Sequence, residues 1–135
     1  MTSTSRDNRL YYKHQPEPLE SIMGYISEVI LVVEKKLVGS LLTLFSQMPE
    51  VRKMFTEFYP IQTNDTGDMM LHIGHIKWYS NYKEVQAIEK WMDNADDIDD
   101  NAYSFNRLGE EFGDHESRGF AEAWTVYPNQ TLSVY

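Results

Sequence analysis

From residue 22 to residue 48, nine apolar side chains recur at steps of three or four: Ile22, Ile26, Val29, Ile30, Val33, Leu37, Leu41, Leu44 and Met48. That is the spacing of one helix face. Pro16 and Pro18 close a polar N-terminal arm, residues 1–16, and Glu17 and Glu20 open the periodic stretch. Residues 29–33 are all β-branched or leucine, so a strand there is the rival reading. The period continues on both sides, and helix is preferred. Gly39-Ser40 marks a point where the helix can kink or split in two. Leu19, Met23, Leu31, Val32, Val38 and Leu42 put further apolar residues on a second face. A helix apolar on two faces must be covered on two sides. In a chain of 135 residues a second copy is one source of cover. The expected dimer interface is therefore Ile26, Val29, Ile30, Val33, Leu37 and Leu41.

Pro49 suits the first turn of a second helix carrying Val51, Met54, Phe55 and Phe58, ended by Tyr59-Pro60. Residues 61–68 form a loop around Asn64-Asp65-Thr66-Gly67. The period then changes to two. Met70, His72, Gly74, Ile76 and Trp78 lie on one side of a strand, and Leu71, Ile73, His75, Lys77 and Tyr79 on the other. Ser80 or Asn81 caps a helix over about residues 82–92, with Val85, Ile88, Trp91 and Met92 toward the core. Residues 93–101 read as an acidic loop, 102–108 as a strand, 110–119 as a charged connection. Residues 123–127 and 131–135 read as a hairpin turning at Pro128-Asn129. The expected fold is one α+β domain over residues 17–135, helical over 17–60 and sheet-containing over 69–135. Its antiparallel or mixed sheet with one helix is partly ferredoxin-like.

Charge divides the chain unevenly. Residues 1–60 hold seven acidic and seven basic side chains, and residues 61–135 hold fourteen and five, so the whole net charge of −9 sits in the second half. Such a surface repels nucleic acid and anionic lipid, attracts a basic protein surface, and at the least serves solubility. Between Asp93 and Glu116 there are nine acids and one base, Arg107. Crowded like charges cost folding free energy, which a sequence tolerates where the surface is used. The candidate partner-binding residues are Asp93, Asp96, Asp97, Asp99, Asp100, Glu110, Glu111, Asp114 and Glu116. Arg107 reads as structural, neutralising the acids around it. The aromatic set in this half, Trp78, Tyr79, Tyr82, Trp91, Tyr103, Phe105, Trp124, Tyr127 and Tyr135, lacks the basic neighbours of a single-strand nucleic-acid binder. Core packing and a protein interface fit it better.

Catalytic signatures fail on inspection. His72-Ile73-Gly74-His75 spells the HIGH tetrapeptide of class I aminoacyl-tRNA synthetases. The chain lacks that family's lysine-serine-lysine loop, and the residues that follow read as strand. The two histidines are three apart in a strand, so they point to opposite faces and cannot readily share a metal. Counted from Asp96 as an EF-hand, the sixth residue is Asn101 and the twelfth Arg107, where calcium needs glycine and glutamate. No cysteine is present, which removes disulfides and thiolate metal sites. No cofactor and no metal are expected. A small enzyme or nucleotide-binding module would have to gather His72, His75 and His115 with nearby carboxylates. A third alternative is a structural oligomer built by the N-terminal helices. The N-terminus has no apolar signal core, and the longest uncharged apolar run, residues 29–33, is far too short for a bilayer. A cytoplasmic protein with no membrane contact is the expectation.

Two segments carry a resemblance: Ile76-Lys77-Trp78-Tyr79-Ser80-Asn81-Tyr82-Lys83-Glu84-Val85 and Phe105-Asn106-Arg107-Leu108-Gly109-Glu110-Glu111. Over about residues 70–120 the chain resembles small uncharacterised acidic proteins encoded by bacteriophages. The resemblance implies a non-enzymatic viral protein acting on host machinery or a defence system. Some such proteins imitate the charge of DNA.

Overall fold

The computed structural model describes residues 24–124, together with the backbone of two short strands at 126–127 and 133–134. The N-terminal arm, Leu19, Ile22 and Met23 lie outside the described residues, as does the turn at Pro128-Asn129.

The run at residues 29–33 is a strand and not part of a helix, which corrects the sequence reading. β1 (Ser27–Val33) lies in the middle of a five-stranded sheet. Every side chain from Val29 to Val33 is fully buried. A central strand covered on both faces reads as an unbroken apolar run, and such a run satisfies the helical period as easily as the strand period. The helix begins only after it: α1 (Lys35–Gln47) buries Leu37, Leu41 and Phe45, four apart. Pro49 then starts α2 (Pro49–Thr56), which buries Val51 and Phe55. β2 (Gln62–Thr63) and β3 (Met69–Ile76) follow. Between them Asn64 Oδ1 accepts from the backbone N–H groups of Thr66 and Asp68, closing a tight turn.

α3 (Lys83–Asp99) is longer than the expected helix over 82–92, because the acidic segment forms its last turns instead of a loop. Val85, Ile88, Met92 and Ala95 are buried at helical spacing, and Ala95 carries the inward face through the acids. β4 (Tyr103–Gly109) falls where a strand was expected. β5 (His115–Gly119) corrects the charged connection to a strand pairing with β4. β6 (Val126–Tyr127) and β7 (Ser133–Val134) pair antiparallel, as the expected hairpin requires.

The sheet order is β2-β3-β1-β4-β5, with every neighbouring pair antiparallel. β3 and β4 therefore run parallel to each other with β1 between them and α3 as their connection. That is the split β–α–β unit used by ferredoxin-like sandwiches, and the fold is α+β. Val29, Leu31 and Val33 point into the larger core with α1, α2 and α3. Ile30 and Val32 point the other way, against Met70, Leu108 and Ala121. This arrangement corrects the expected dimer face. Val29, Ile30, Val33, Leu37 and Leu41 are buried inside one chain, and only Ile26 is half-buried. The second apolar face is divided: Val32 points to the second side of β1, Leu31 and Val38 join the larger core, and Leu42 is exposed on α1.

Gly119 ends β5 at φ +77, and a Cβ there would lie 2.2 Å from the Tyr103 carbonyl oxygen. Alanine must then adopt a left-handed conformation and push against backbone. Gly119→Ala is expected to cost about 2 kcal/mol or more, read as a lower urea midpoint with unchanged slope.

Candidate acidic interface

The nine candidate carboxylates lie on two elements, the C-terminal half of α3 with its cap and the β4–β5 hairpin. An α-helix disfavours negative charge at its C-terminus, because the backbone carbonyls there already carry partial negative charge. α3 and its C-cap carry five aspartates between positions 93 and 100, with no base in the last turn. Neighbouring elements supply the cations. Arg118 of β5 donates through Nη2 to Asp93 at 2.8 Å and Asp96 at 2.9 Å. Lys36 at the start of α1 donates to Asp99 at 2.8 Å. That bond, and after it the one from the Asn101 backbone N–H, holds the Asp99 carboxyl below the ordinary range. Asp96 also accepts from the Tyr103 hydroxyl at 2.6 Å. Burial, and then this carboxylate, push the Tyr103 phenol upward.

The hairpin is tied down in the same way. Arg107, whose side chain is 15% exposed, donates to Asp114 at 2.8 Å, to Glu116 at 3.1 Å and to Ser27 Oγ at 3.0 Å. Arg107 thus has the neutralising role read from the sequence. The Tyr25 hydroxyl donates to Asp114 and accepts from the Glu111 N–H, while the Ile26 N–H donates to Glu110. Burial would raise the Asp114 carboxyl, but the bonds from Arg107 and Tyr25 outweigh it and hold it below the ordinary range. Burial and the same Asp114 contact push the Tyr25 phenol up to about 12.

The two segments meet along the β5 edge. Phe105 faces Arg118 and Arg107 faces Glu116 in the β4–β5 register. The Asp93–Arg118–Asp96 and Glu116–Arg107–Asp114 groups are therefore two residues apart on one side of the sheet, about 7 Å along the strand. Asp97, Asp100 and Glu111 have no side-chain partner among the described residues. Large apolar side chains stand beside them. Phe112 is 89% exposed at the hairpin tip, Phe120 is 64% exposed after β5, and Ile98 is 62% exposed in the last turn of α3. No sequence pattern marks Tyr25 or Arg118, because both act across long separations.

The histidines do not converge. His72 contacts Glu28 at 2.6 Å and stacks on Tyr59 at 4.5 Å between ring centres. His75 points to the opposite face and stacks on Phe58. His115 lies on β5, beside Asn106 and Ser117. His72 and His115 share a face but stand three strands apart in the sheet order β3-β1-β4-β5. Among the described residues, no three His, Asp or Glu side chains are grouped to hold a metal. An open groove of about 390 Å³ lies between α2, the end of β3 and the start of α3. Its lining mixes Glu50, Glu57 and Glu84 with Lys53 and Lys77, so it favours neither charge sign. No helix among the described residues is long and apolar enough to cross a membrane. Comparison with protein-family models, curated proteins and solved structures finds no match to this chain.

Proposed function

We propose that this chain is a non-enzymatic interaction protein that docks its acidic hairpin tip and α3 terminus on a basic protein surface. The partner is one whose groove ordinarily holds nucleic acid or a nucleotide, and occupancy by carboxylates inhibits or modulates it. One observation carries the reading: each acidic segment exposes a large apolar side chain beside a carboxylate that has no side-chain partner among the described residues. Phe112 stands next to Glu111, and Ile98 stands next to Asp97. Solubility alone accounts for the charge but not for exposed anchors within it. Interfaces draw much of their affinity from a few such anchors and their association rate from charge.

The test uses the immobilised full chain and a nuclease-treated bacterial extract, eluted in salt steps. The bound protein is expected to be basic, to leave as salt rises, and to be displaced by added DNA. The combined variant D97N/D100N/E111Q/F112A touches none of the internal ion pairs. It should bind that protein at least about tenfold more weakly, which is about 1.4 kcal/mol. Binding that is indifferent to salt, or equal in the variant, would count against the proposal.

A further inference from the structure

β5 is the last strand of its sheet, and no described strand pairs with its outer side. The Gly109 N–H donates to the Asp114 carbonyl at 2.8 Å where the β4–β5 ladder begins. Antiparallel alternation then turns the backbone groups of Glu116 and Arg118 toward β4. Those of His115 and Ser117, with the N–H of Gly119, point outward, and such an edge is a template for another strand.

We propose that the strand added here is β5 of a second copy of this chain, antiparallel, with the two-fold axis at Ser117. In that register Ser117 faces the partner's Ser117, His115 faces the partner's Gly119, and Glu116 faces the partner's Arg118. The outward groups of Ser117 form the hydrogen-bonded pair. Glu116 and Arg118 fall at the closer, non-hydrogen-bonded positions, with Cα atoms about 4.5 Å apart. Opposite charges directly across a ladder attract. The side chains have capacity for this contact: Arg118 uses only Nη2 on Asp93 and Asp96, and Glu116 uses only Oε1 on Arg107. Register is also selected. A slip of two residues one way sets Glu116 against Glu116, and the other way Arg118 against Arg118. A slip of one sets outward groups against inward ones.

The contact is closed and two-fold, so it stops at a dimer. Each end carries the hairpin tip of one copy beside the α3 terminus of the other. The inference stands on the backbone edge and its charge order, independently of the docking partner proposed above.

Sedimentation of the full chain over about 10–500 µM tests it, a range set by an edge small beside the roughly 1,600 Å² of a standard interface. Mass should rise from monomer to dimer across that range. Ser117→Pro removes an outward N–H that β4 does not use, a substitution edge strands accept. It should weaken self-association at least tenfold with an unchanged circular dichroism spectrum. Glu116→Arg and Arg118→Glu each set like charges across the ladder and should do the same, whereas an equimolar mixture of the two should form a heterodimer. A wild-type chain that stays monomeric throughout, or a dimer unaffected by Ser117→Pro, overturns the proposal. The proline variant decides if either charge variant fails to fold.

Discussion

Replacing Arg107 by alanine is expected to cost about 3 kcal/mol of folding stability at neutral pH, the low end for breaking a buried ion pair from one side. The guanidinium is 15% exposed and serves Asp114, Glu116 and Ser27 together. Its removal strands two carboxylates, but Asp114 is 31% and Glu116 41% exposed, so water compensates part of the loss. The pH dependence identifies the group responsible. In the wild type, burial is outweighed by Arg107 and Tyr25, and Asp114 titrates below its ordinary value. A depressed carboxylate adds stability that is complete above the unfolded value of about 3.9 and is lost as pH falls through the folded value. In the variant the main opposing cation is gone and burial raises the carboxyl. Asp114 then subtracts stability at neutral pH and relieves the loss when it takes up a proton. The gap between the two proteins should narrow from pH 7 to about pH 4 in urea titrations. An equal gap at both would clear Asp114 of the effect.

What the sequence disclosed follows the range of the interactions. β3 and β4 were legible because each alternates over a single segment, and α2 because Pro49 marks its start. β1 was misread because burial on both faces erases the alternation that identifies a strand. α3 was cut short because aspartate is a weak helix former, while the forces that extend it come from Arg118, 22 and 25 positions away, and Lys36, 63 positions away. β5 was missed because its apolar content is nil: His115-Glu116-Ser117-Arg118-Gly119 is an edge strand without a buried face of its own. The candidate site behaves likewise. The carboxylates could be named from composition, but which of them are tied to internal partners could not, since Arg118 reaches Asp93 across 25 positions and Tyr25 reaches Asp114 across 89.

Leu31→Ala separates the two readings of the first apolar stretch, and its expected cost is about 3–5 kcal/mol. Leu31 faces Leu71 on one side and Phe105 on the other, in the larger core, with no exposed surface. Removing its side-chain atoms from water-free packing leaves a cavity between two strands that cannot close without moving the sheet. Leu42 is the matched control. Read as one helix, the chain puts Leu31 and Leu42 on the same second apolar face, where truncating either should cost a similar amount. In the fold, Leu42 lies on α1 and is 46% exposed, so Leu42→Ala should stay within about 0.5 kcal/mol of wild type. Urea titrations of both variants at one protein concentration give the comparison. Near-equal losses would restore the two-faced helix, and with it the need for a second chain over Val29, Val33 and Leu37. A wide difference means that the same chain covers Leu31 in the larger core, and no second chain is needed over Val29, Val33 and Leu37.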